Sequence, residues 1–434
     1  MRPILAVAKY FSAPRACLIL VLSFYPGLGY CSFTITNLAR FTNAYALSLT
    51  PGRDGSAYGE VSVGGNFGNG MIFRMSPSGV LTTVVSLPNM DGAYPYGGLV
   101  QGTDGNLYGV GTPLFGQTNS VGNVFQVTTN GSFRVLATFS KTNGVGPASP
   151  LVQGLDSAFY GTASYGGPYT NVYMGSVGYG SIFRVDTNGA LTILHAFDRT
   201  NGANPVGEMV QDKEGALFGS TCYGGAYDLG AVWKLDKNGT FTLLGSFDGT
   251  NGSTPLGGLM RGKDGNLYGT TRVGGTNLAN RGSIFRLSLN GTLAPLAAFN
   301  GINGKWPMVA PTQGADGNLY GTTYTGGQFG SSGVVFTFTP PANLATVVET
   351  GWGLPSTSKL VSGPNGSFYG VSEEGTGRYT WVFSITPTAG ENLTDPARAT
   401  ADDDGDKLSN LLEYALATDL QNPADPQEGL VAST

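Results

Sequence analysis

Asp264-Gly265-Asn266-Leu267-Tyr268-Gly269 recurs as Asp104–Gly109 and again as Asp316–Gly321. Looser versions keep only the aromatic-Gly pair, at Tyr58-Gly59, Tyr160-Gly161, Phe218-Gly219 and Tyr369-Gly370. The aromatic positions are 58, 108, 160, 218, 268, 320 and 369, separated by 50, 52, 58, 50, 52 and 49 residues. A second marker follows each one: Phe73, Phe125, Phe183, Trp233, Phe285, Phe336 and Phe383. Two independent markers in one period identify seven tandem repeats of about fifty residues.

Each repeat holds four strand-like pieces. In the fourth they are Val206 to Gln211, Leu217 to Thr221, Ala231 to Leu235 and Thr240 to Phe247. Glu214-Gly215 and Asn238-Gly239 turn the chain, and Tyr223-Gly224-Gly225 opens a longer loop. X-Gly pairs suit two-residue hairpins because the central residues need positive φ. Four short antiparallel strands per repeat make a propeller blade. The seventh repeat has strands around Lys359, Phe368 and Val382, then runs into Pro387 without a fourth. Phe33 to Phe41 matches the fourth strands, with Phe41 standing where other repeats have Phe139, Phe197, Phe247 and Phe299. The expectation is an all-β, seven-bladed β-propeller over residues 32–394, closed by its N-terminal strand, followed by a short acidic loop-helix tail.

Composition and charge narrow the function. Gly (69) and Pro (24) make up about a fifth of the 434 residues, and charged residues only 12%. The body carries almost no net charge, so it has no electrostatic footprint for nucleic acid. The acids gather from Asp395 onward, where nine, Asp395 included, stand against Arg398 and Lys407. His195 is the single His, which rules out any mechanism needing two imidazoles. Cys17, Cys31 and Cys222 are too few and scattered for a disulfide framework or a zinc cluster. At the N-terminus Arg2, Lys9 and Arg15 precede the apolar run Ala16 to Tyr25, which Pro26 and Gly27 break. That is the length of a signal h-region and too short to span a bilayer. Residues 1–29 are therefore expected to be a cleaved signal, leaving an extracellular or surface-held monomer with no membrane span.

The order Gly265-Asn266-Leu267-Tyr268-Gly269-Thr270-Thr271, Gly274-Gly275, Gly282-Ser283-Ile284-Phe285-Arg286-Leu287 resembles the bacterial GloVer tandem repeats over residues 42–390. The second repeat departs from it with Thr112-Pro113 in place of Gly-Gly, and the seventh with Glu373-Glu374-Gly375. The resemblance implies an exported protein with a variable C-terminal anchor and says little about activity.

Loops between second and third strands, and linkers between blades, share one face of a propeller. Here they are aromatic-rich. Tyr165, Tyr223, Trp306, Tyr324 and Trp352 are the candidate ligand-binding residues, since flat rings with polar neighbours suit sugars or peptides. The expected function is an exported, non-enzymatic binding module for a polysaccharide or a cell-surface protein. An alternative is a secreted polysaccharide-active or streptogramin-lyase-like propeller. The repeats are similar to those of streptogramin lyases, but such enzymes use metal and His, and His195 falls on an outer strand. Under that alternative, Glu60, Glu373 and Glu374 are the carboxylates expected to pair across blades one and seven for hydrolysis. A purely structural surface protein is the third reading.

The tail carries the segment Asp402 to Glu413. Asp402, Asp404 and Asp406 fall at loop positions 1, 3 and 5, the Leu408 carbonyl at 7, Asn410 at 9 and Glu413 at 12. This is the oxygen-ligand pattern of an EF-hand, suited to Ca²⁺. A short apolar helix from Leu411 would follow. The segment resembles the calcium units of dockerins and thrombospondin type 3 repeats. Lys407 replaces the Gly that the loop prefers at position 6, so affinity should fall in the weak extracellular class, roughly 10⁻⁴–10⁻³ M. Calorimetry should show Ca²⁺ binding that Glu413→Ala weakens more than Asp403→Ala, because Asp403 lies off the ligand positions. Equal losses, or no heat at millimolar calcium, would return the segment to a solvated linker.

Overall fold

In the computed structural model the described residues are 33–42, 46–76, 79–88, 94–112, 121–169, 178–275, 280–327, 333–340, 343–349, 358–363, 366–373 and 379–387. The expected signal, the calcium-like segment and Trp352 lie outside them. All the described regular structure is strand, apart from a single 3-10 position at Gly366. The strands form seven antiparallel sheets. In blade four the order is Val210–Gln211, Leu217–Thr221, Ala231–Leu235, Phe241–Ser246, close to the pieces read from the sequence.

The repeat markers meet in space. Strand pairing sets Gly59 opposite Phe73, Gly109 opposite Phe125 and Gly161 opposite Phe183. Gly219 faces Trp233, Gly269 faces Phe285, Gly321 faces Phe336 and Gly370 faces Phe383. In every blade the far end of the third-strand ring covers the second-strand glycine, and a Cβ there would overlap it. The second and third strands are buried on both faces, whereas the fourth strands are half-exposed at the rim. Each buried ring contributes about 1.5–3 kcal/mol of hydrophobic stabilisation.

Seven core clusters correspond to seven joints between blades. One joins Tyr58 and Ile72 of blade one to Leu107 and Phe125 of blade two, and the rest follow around the ring. The last sets Leu49, Val61 and Phe73 of blade one against Val371 and Val382 of blade seven. The turns add a polar clasp. Gly105, with φ 83°, makes the left-handed corner between the first two strands of blade two. In blade three Ser157 takes that corner with φ 65°. At four joints a glutamine from the next blade's first strand accepts a backbone N–H of the turn. Gln101 takes that of Arg53, Gln153 of Thr103, Gln211 of Leu155 and Gln313 of Lys263.

Closure follows the expected route. Phe33–Thr42 pairs antiparallel with Tyr379–Pro387 as the fourth strand of blade seven. Phe197, Phe247 and Phe299 end their own blades and pack onto the third-strand ring of the next, with centroids 6.0, 5.1 and 5.1 Å apart. Phe41 does the same to Phe73 of blade one at 4.9 Å. Removing residues 33–42 should abolish the cooperative melt. Phe41→Ala should cost about 2 kcal/mol in chemical denaturation, less than the ~3–5 kcal/mol of a fully buried phenylalanine, because Phe41 is half-buried. Unchanged transitions in both variants would contradict a closed ring.

Candidate functional site

The upper face is built by the linkers and the loops that leave the second strands, and the two are zipped together. Ala203 pairs with Tyr223, Ser253 with Val273, and Lys305 with Thr325. The next linker residue is left-handed in each case: Asn204 at φ 57°, Thr254 at 55° and Trp306 at 60°. A Pro follows each of them. Asn tolerates this conformation, but a tryptophan there carries roughly 1–2 kcal/mol of strain. Trp306 is held in place because its N–H donates to the Arg281 carbonyl and its own carbonyl accepts from Tyr324.

Four of the five candidate binding residues fall on this face, in blades three, four and six. Tyr165 ends the second strand of blade three, and Tyr223 follows that of blade four. Tyr223 is 45% exposed. Partial burial raises the pKa of its hydroxyl, helped by Tyr165 and opposed by Arg272. Arg272 leaves the second strand of blade five, with its guanidinium 5.8 Å from the Trp306 ring centre. The Lys305 ammonium lies 4.9 Å from the same ring, and the Tyr324 ring is 6.4 Å away. The line Tyr165–Tyr223–Arg272–Trp306–Tyr324 thus crosses blades three to six. Beside it, an open recess of about 460 Å³ is bordered by Tyr179, Tyr227 and the paired Arg199 and Asp228.

Sequence reasoning missed Arg272 and Lys305. It also missed a pair at the axis. Glu208 and Lys359 stand just before the first strands of blades four and seven, and their side chains meet at 2.7 Å. Blades three apart in a seven-membered ring can touch only across its centre. The other blades place Ser48, Gly98, Pro150, Gly258 and Ala310 at this position.

The carboxylate pairing expected across blades one and seven does not form through Glu60. Glu60 lies two residues after Tyr58 on the same strand face, and that face turns toward blade two. One Glu60 oxygen accepts the Gly98 N–H at 2.6 Å, while Oε2 is buried without a partner. Full burial pushes its pKa up to about 8, against the lowering effect of the Gly98 bond. The equivalent Thr162, Thr270 and Thr322 donate to carbonyls of the following blade. Glu374 and the Glu373 side chain lie outside the described residues.

His195 is on an outer strand, stacked on Phe241 at 3.8 Å and bonded to Asn201. Burial lowers its pKa. Cys222 is buried, with its thiol pushed up to about 12. Among the described residues no cluster of three or more His, Cys, Asp or Glu is placed to hold a metal. The calcium candidates Asp402, Asp404, Asp406, Leu408, Asn410 and Glu413 lie outside them.

The family model described as the Gloeobacter/Verrucomicrobia repeat matches residues 43–278, 169–353 and 230–412 in overlapping registers. No curated protein matches. Among solved structures, a candidate gluconolactonase is similar at 13% identity and a TM-score of 0.42, over 82% of this chain and 92% of that one. A gluconolactonase from Xanthomonas campestris is similar at 11% and 0.37, over 70% and 97%. The expectation that the chain is not an enzyme is corrected here, because both of these structures are described as those of enzymes. At such identities the likeness transfers no activity to this chain.

Glu60 gives a pH signature. Its folded pKa lies above the ordinary 4.5, so between about pH 4.5 and 8 the unfolded chain releases a proton that the folded chain keeps. Stability from this group is therefore lost as pH rises through that window and is flat above it. Glu60→Gln removes the dependence, and its melting temperature should gain on the parent's steadily from pH 5 to pH 8. A difference independent of pH would show that Glu60 ionises within the joint.

Proposed function

Since the chain belongs to the Gloeobacter/Verrucomicrobia repeat family, we propose that it is an exported, surface-associated propeller. It binds a glycan along the upper face of blades three to six. The observation that carries this reading is Trp306. A half-buried tryptophan is held in a strained left-handed conformation, where the equivalent linker residues are Asn204 and Thr254. The left-handed turn belongs to the linker and recurs at all three positions, so what sets this one apart is a large aromatic ring where its counterparts are small and polar. Tyr324, Tyr223 and Tyr165 continue the apolar, hydroxyl-edged strip that a chain of sugar rings would cover.

Export rests on the N-terminal basic and apolar run, and Ca²⁺ on the Asp402–Glu413 spacing, which would stiffen the tail outside the cell. The closed ring suits a monomer. Trp352, outside the described residues, is proposed as a further ligand-binding ring on its sequence position alone.

A polysaccharide panel in affinity electrophoresis, with reducing-end release followed in parallel, tests binding and turnover together. Trp306→Ala with Tyr223→Ala should weaken retention at least tenfold, the scale of losing an aromatic anchor of about 1.4 kcal/mol or more. The melting temperature should fall little, because Trp306 is only half-buried and the left-handed backbone is as strained with Ala as with Trp. Equal retention by variant and parent on every bound polymer would remove these rings from the site.

A further inference from the structure

We infer that the ligand of this face is an anionic glycan, whose carboxylate or sulfate group is held between Arg272 and Lys305 while its sugar rings cover the neighbouring aromatics. The inference rests on the glycan-binding reading above and specifies its chemistry.

Six cations among the described residues are paired with acids, Lys213 with Glu214 among them. Arg74 pairs with Asp54, Arg184 with Asp156, Arg199 with Asp228, Lys234 with Asp236, and Lys359 with Glu208. Arg272 and Lys305 come from different blades and converge on one ring, at 5.8 and 4.9 Å. Among the described residues neither has a carboxylate partner, and Asp228, the acid nearest Tyr223, is already held by Arg199 through two bonds. Arg272 is exposed and Lys305 half-buried, so their donors are open to a ligand from above. In a body whose charges otherwise nearly cancel, this is a local concentration of positive charge.

The geometry suits an anion attached to a ring. A guanidinium fork meets a carboxylate or sulfate through two parallel bonds, and an ammonium adds a point charge. Such charge-assisted bonds are about twice as strong as neutral ones. The Tyr223 hydroxyl, which Arg272 influences across the blade boundary, can serve a sugar hydroxyl on one side. Tyr324 flanks Trp306 on the other. A neutral sugar would use the rings and leave both cations without a counter-charge.

The test uses the full-length mature protein against polygalacturonate, dextran sulfate, and neutral dextran and galactan in affinity electrophoresis at fixed ionic strength. The expected result is retention by at least one polyanion and at least a tenfold loss in Arg272→Gln with Lys305→Gln. Lys237→Gln, on the turn at the opposite face, changes net charge without touching the site and should bind as the parent does. Melting curves for each variant confirm that the ring is intact. Polygalacturonate retained without dextran sulfate would assign a carboxylate, and the reverse a sulfate. Retention of a polyanion that survives the double substitution overturns the inference, as does equal loss with Lys237→Gln. Retention of neutral polymers alone also overturns it and leaves the glycan site standing. Failure to retain any of the four overturns both.

Discussion

An aromatic ring resting on a bare backbone sets the dimensions of this protein. In each blade the third-strand Phe or Trp lies on the second-strand glycine that faces it across the ladder. The glycine lets the ring sink to the level of the main chain, where the adjoining blade can cover it. A side chain in its place would lift the ring and widen the joint, and seven widened joints would not close at the same blade angle. The phenylalanines that end the fourth strands depend on this seating, because Phe197, Phe247 and Phe299 lean on rings whose height is already fixed. The left-handed corners and the glutamine clasps then hold neighbouring blades in register.

That contact also explains why so much of the fold could be read in advance. Tyr268-Gly269 and Phe285 mark the period because they are the two halves of one packing unit, so the pattern in the chain mirrors a pattern in space. The missing strand after Ile385 and the surplus strand before Tyr58 were equally legible, since each is a local count against the repeat. Glu60 could have been placed by the same logic. Strand alternation puts it on the face of Tyr58, inside a joint, and the suggested pairing with blade seven overlooked that alternation.

The candidate site was legible only in part. Tyr165, Tyr223, Trp306 and Tyr324 stand out because aromatic residues in Gly-rich loops are conspicuous. Arg272 and Lys305 are 33 residues apart in the sequence, and neither looks unusual in its own repeat. Their convergence depends on the linker zippers and on the left-handed turn at Trp306. Glu208 and Lys359 are 151 residues apart and meet only because an odd ring brings its fourth and seventh members to opposite sides of the axis. Local pattern cannot report on such pairs, whose geometry belongs to the assembled ring.

The Glu208–Lys359 contact also changes the mechanics of the ring. A closed chain of units that touch only their neighbours behaves like a hoop, and the softest distortion of a hoop is ovalling, in which one diameter lengthens as another shortens. Repeat proteins with nearest-neighbour contacts alone have nothing to oppose that mode except the small shear of each joint. A charged link between blades four and seven lies along a diameter, so lengthening that diameter must pull an ion pair apart in a narrow, partly dehydrated bore. From Tyr223 on blade four to Tyr324 on blade six, the aromatic line rides on the arc between the two anchors. The tie therefore holds the curvature of that arc, and with it the distances between successive rings, against the deformation most able to change them.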